Sequence, residues 1–248
     1  YENTSGANFS FKVSLGNSKK YLAVDLSDVF TPLKESNSLV VNQNLKGTIF
    51  NDEQGNFEDI DYLIITPNFL MNQADKLANF HRNNSGMSVR VVSLEKIYQE
   101  FSSGKQDIAA IRNFIKYIIE QSKLKQQLSP AYILLFGMGN FNPQKIQINK
   151  ELPVYTSEVS NAILTSYSSD DFYAIQQAGN QIQFTQTIDS ISIAIGRIPA
   201  RTIVEADKVV EKLIQYQSNK KMGLWQHQLT WVADDADFNL HLQDAEEI

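Results

Sequence analysis

The run Asp234-Asp235-Ala236-Asp237-Phe238-Asn239 is the densest set of chemically able side chains in this 248-residue chain. Counting Asp235 as the first position of a loop, Asp237, Asn239 and Glu246 fall where a calcium loop places its hard oxygen ligands. Leu240 stands where such a loop needs glycine for its sharp turn, and a strand rather than a helix is expected before it. The competing reading has Asp237 or Asn239 capping the helix that follows, with the other carboxylates in water.

Arg197 closes an apolar strand just after Gly196. There it could clamp a ligand carboxylate or hold an internal acid. Asp234 and Asp235 are the acids expected beside it if their preceding strand pairs with the Arg197 strand. Asp170 and Asp171, adjacent on an extended segment, point to opposite faces and make a poor general acid and base couple, so a solvated loop is expected there. The loop from Phe136 to Asn142 carries Gly137 and Gly139 but is a poor dinucleotide turn. Asn142 occupies the third glycine position, Pro143 follows, and no helical pattern begins. A turn needing glycine's backbone freedom is the expectation, with both glycines structural.

The histidines are His81, His227 and His241, and each titrates near neutrality. No nucleophile accompanies them. Cysteine is absent, and neither a Gly-x-Ser-x-Gly elbow nor a His-Glu-x-x-His pair occurs. His81 is expected in the last turn of a helix, where a cation suits the dipole, while His227 before a strand and His241 in a helix start read as structural or solvated.

The elements that must position these residues follow from periodicity. Tyr62–Thr66, Ser88–Ser93, Tyr132–Phe136 and the Ile191, Ile193, Ile195 segment are continuous β-branched or aliphatic runs, as in strands covered on both faces of a parallel sheet. Leu229–Ala233 is expected to add a fifth. Between them, Phe69–Asn84 predicts a helix stopped at Gly86, and Asp107 caps a stripe of Ile108, Ile111, Phe114, Ile115, Ile118 and Ile119. Thr202 and Glu205 form a capping box ahead of Val209, Val210, Leu213 and Ile214. Strands alternating with helices predict a doubly wound, mostly parallel α/β sheet, whose reactive edge lies at the strand C-termini. Five loops are placed there: Thr66-Pro67, Ser93-Leu94, Gly137–Asn142, Gly196-Arg197 and Asp234–Asn239. Short strands are expected at Phe172–Ile175 and Gln181–Phe184 around an Ala178-Gly179-Asn180 turn. Before residue 58 the pattern changes to hairpin-like strands, Asn8–Leu15 and Tyr21–Leu26 about Gly16-Asn17-Ser18, with loops at Glu35–Asn44 and Asn51–Asn56.

A net charge of −6 and the lack of any basic run exclude a phosphate-tracking nucleic-acid protein. No apolar run is long enough to span a bilayer. With 42% hydrophobic residues the chain can bury a large core. The pattern opens mid-phrase at Tyr1 and stops inside a helical pattern at Ile248, as expected for a piece of a longer protein.

The passage Ile195-Gly196-Arg197-Ile198-Pro199 closely resembles the corresponding passage of gingipain-type cysteine peptidases, and especially of the surface sortases of the type IX secretion system. Further anchors in order are Asp61–Pro67, Phe101–Gly104 with Asp107 and Ala110-Ile111-Arg112, Tyr132–Gly137, Pro153 with Tyr155, Ser169–Ala174, and Val232–Asp235 with His241 and Ala245-Glu246. In those relatives the Gly137 loop resembles Gly-Asp-Gly-Ser-Tyr-Asp, and here Met138 and Asn142 replace both aspartates. The resemblance implies a caspase-like fold divided as a β-rich segment over 1–57, a first, non-catalytic α/β subdomain over 58–222, and the truncated start of a catalytic subdomain over 223–248. It also implies an exported parent at the outer membrane or cell surface. That parent would remove C-terminal sorting domains from secretion cargo through a thioester, with the cargo, other secretion components and its own catalytic subdomain as partners. Calcium occurs in the family and no other cofactor is required. No residue here matches the catalytic His or Cys motif, so the chain alone is expected to be inert. Rival readings are a non-catalytic surface binding module and a flavodoxin-like domain.

Overall fold

The computed structural model describes residue 27 and residues 43–52, 54–125, 128–140, 151–157, 166–175, 193–219, 223–234 and 237–247. Compactness separates residues 1–42 from 43–248, and the second unit holds the central sheet. The hairpin strands expected before residue 27, the Ala178-Gly179-Asn180 turn and the strand expected at Gln181–Phe184 lie outside the described residues. The second unit begins with α1, Leu45–Thr48, a helical turn whose start is capped by the Asn44 side chain and by the Glu100 carboxylate. Leu45, Ile49 and Phe50 pack into the α/β core, so these residues belong to that body.

Four parallel strands form the central sheet: β1 (Tyr62–Thr66), β2 (Val89–Ser93), β3 (Tyr132–Phe136) and, after several short elements, β8 (Ala194–Ile198). Their spatial order is β2-β1-β3-β8. The mostly parallel sheet and the alternation expected of a doubly wound, caspase-like α/β body are both present. Successive side chains on a strand face opposite ways, and the core splits accordingly. Ile64, Leu134 and Phe136 pack with α2 (Met71–Ser85) and with Ala206 and Val210 of α6 (Ile203–Ser218). Leu63, Ile65, Ile133 and Leu135 pack on the other face with α3 (Leu94–Phe101) and α4 (Ile108–Leu124).

The helix ends obey local chemistry. Gly86 takes the left-handed conformation, with φ of 63°, that closes α2. Asp107 accepts the Ala109 N–H to start α4, and Thr202 accepts the Glu205 N–H to start α6. Helix α3 was not expected: Ser93-Leu94 reads as a loop, whereas Ser93 caps a helix there. Leu94, Ile97, Tyr98 and Phe101 make its core stripe, a short helical period eclipsed in the sequence by the stronger one of α4.

Further expectations are corrected, beginning with Gly196-Arg197, which is not a loop after a strand but lies inside β8 (Ala194–Ile198). Phe172–Ile175 is not a strand, because α5 (Asp171–Ala174) is a helical turn burying Phe172 and Tyr173. Leu229–Ala233 is likewise irregular, with Leu229 and Val232 84% and 93% exposed. A strand needs a partner for its N–H and C=O groups, and among the described residues β8 pairs with β3 alone. β8 is also not covered on both faces, since Ala194 and Gly196 are exposed. Among the described residues no helix is long and apolar enough to cross a membrane.

Candidate functional site

The direction in which strands are added reverses between β1 and β3: the path leaves β1 through α2 to β2, then returns past β1 to β3. Ligand sites of open α/β sheets form at such a switch point, outside the strand C-termini. Thr66 ends β1 there, fully buried, and its Oγ1 donates to the Phe136 carbonyl at 2.9 Å. Gly137 follows with φ of 155°, and a Cβ added to it would stand 3.1 Å from Pro67. Its N–H donates to the Ile198 carbonyl and that of Met138 to the Ala200 carbonyl, so neither amide is left to cradle a phosphate. Gly139 belongs to β4 (Gly139–Asn140), which pairs with β5 (Leu152–Pro153). A Cβ at Gly139 would meet Val154 at 2.5 Å, which explains the glycine. The rim is completed by β6 (Tyr155–Thr156) pairing antiparallel with β7 (Ser168–Ser169).

Arg197 joins these pieces. Its Nε and Nη2 donate to the two carboxylate oxygens of Asp170 at 2.8 and 2.7 Å. Its Nη1 donates to the carbonyls of Gly137 and Leu152, and Nη2 also reaches the Pro153 carbonyl, each at 3.3 Å. Beside it Tyr173, buried, donates to the Pro153 carbonyl at 2.6 Å, and burial pushes its phenol well above the usual range. Arg112 donates to the Ile175 carbonyl and lies over the Phe172 ring.

Every guanidinium nitrogen of Arg197 is engaged within the chain. Among the described residues the acid it holds is Asp170, which the sequence placed in a solvated loop, and not Asp234; Asp235 lies outside the described residues. The corrected irregularity of Leu229–Ala233 is the reason, because among the described residues no strand delivers Asp234 to β8. Asp234 instead contacts His241, Oδ1 to Nδ1, at 2.8 Å on the exposed surface. A methyl group placed on Gly196 would have nothing within 4 Å, so packing does not demand a glycine there.

The calcium set is not gathered by what is described of it. Asp235 lies outside the described residues. Asn239 sits at the N-cap of α7 (Leu240–Glu246) with φ of 63° and no side-chain cap bond, and Glu246 ends that helix. Seven helical steps separate the two by about 10 Å along the axis. The capping alternative is met in position only. Among the described residues no group of three or more His, Cys, Asp or Glu is placed to hold a metal. Nor does His81 serve the helix dipole: Arg82 occupies the last turn of α2, and desolvation pushes the His81 imidazole below its usual pKa. His227 lies in an exposed 3-10 turn, Leu224–His227.

The sequence profile of peptidase family C25 matches residues 56–248. The chain belongs to this family of gingipain-type cysteine peptidases. Among solved structures it is similar to dimeric latent PorU from Porphyromonas gingivalis, at 27% identity and a TM-score of 0.57. That likeness covers 75% of this chain and 18% of the PorU chain, so this C25 chain spans less than a fifth of its structural relative. No curated protein matches it. Family C25 is a family of cysteine peptidases, while this chain holds no cysteine.

Proposed function

We propose that this chain is the non-catalytic platform of an exported cysteine peptidase or transpeptidase, a surface sortase of the type IX secretion system. It would act only with the rest of that protein. One observation carries the reading: the C25 match runs through the whole α/β body, yet that body contains no cysteine. The rim supports a bracing role, because Arg197 is spent on Asp170 and three carbonyls rather than offered to a substrate.

In this reading the nucleophilic thiolate and its histidine base belong to the remaining catalytic subdomain. The thiolate attacks the carbonyl that joins mature cargo to its C-terminal sorting domain. The sorting domain leaves as a protonated amine, and the thioester then passes the cargo to a lipopolysaccharide acceptor or to water. The platform's part is to hold its own rim rigid beside that cleft. Location at the outer membrane surface, and contact with cargo and other secretion components, belong to the same proposal.

The test is reconstitution. The chain alone should leave a cargo bearing a C-terminal sorting domain intact. Adding the separately expressed remainder of the parent should restore cleavage, and a thiol alkylator should stop it. Cleavage by the chain alone would refute the assignment.

A further inference from the structure

We draw no further inference here: the strongest candidate, the open groove beside β8 over Ala194 and Gly196, is an uncovered sheet face, and nothing in the structure shows what covers it.

Discussion

Arg197 and Asp170, 27 residues apart in sequence, meet through two parallel N–H···O bonds of 2.8 and 2.7 Å. Their side chains are only 12% and 22% exposed. Removing one partner of such a pair leaves the other desolvated and unpaired, so Arg197→Ala should cost about 3 kcal/mol. Lysine cannot reproduce the planar fork, so Arg197→Lys should recover less than half of that. Urea denaturation of both variants measures it. A loss below about 0.5 kcal/mol in Arg197→Ala would put the pair among ordinary surface bridges.

Two glycines of the candidate set should behave oppositely. Gly139→Ala drives its methyl into Val154, a stiff side chain, and should destabilise by about 1–3 kcal/mol. Gly196→Ala enters open space in a strand, where loss of glycine's freedom in the unfolded chain favours folding by about 0.5 kcal/mol. Thermal melts of the two variants decide, and equal effects would contradict the geometry.

Asp107 starts α4 by accepting the Ala109 N–H at 2.8 Å. Asp107→Ala should cost about 1 kcal/mol, and Asp107→Asn much less, since asparagine caps nearly as well. Denaturant midpoints check this.

His81 makes stability depend on pH. Its folded pKa lies below the ordinary histidine value of 6.5 because burial disfavours the imidazolium. The unfolded chain therefore binds more protons at that position, and stability falls as pH drops from near that ordinary value through the lower folded one. His81→Phe should flatten that part of the profile. An unchanged slope between the two chains in a pH series of melting temperatures would show that the imidazole is not desolvated.

Calcium should not raise the melting temperature, because α7 carries Glu246 away from Asn239. A clear upward shift that is lost in an Asp235→Asn and Asp237→Asn double variant would restore the calcium loop. Scanning calorimetry with and without the ion distinguishes the two.

The centre of the sheet was legible because β1 and β3 are buried between parallel neighbours and so read as unbroken apolar runs. Tyr62–Thr66 and Tyr132–Phe136 fall where the sequence placed them, as do the capped helices begun by Asp107 and Thr202. α3 was legible in principle, since Leu94, Ile97, Tyr98 and Phe101 keep helical spacing, but so short a helix gives a weak period. The Arg197 partner was not legible. Pairing across 27 residues depends on where an irregular segment returns to the rim, and no local pattern encodes that return. The strand expected at Leu229–Ala233 failed for a related reason: its β-branched and aromatic composition states a preference that only a neighbour can satisfy.

One guanidinium touches the backbone at residues 137, 152 and 153 and the side chain at 170. The rim's strand pairs, β4 with β5 and β6 with β7, are thus also gathered at a single point. The peptide between those points can grow or shrink without the anchor moving, as with cords of unequal length tied to one ring. Loop exchange between relatives should therefore be tolerated along this edge so long as the four moorings and Arg197 are kept together.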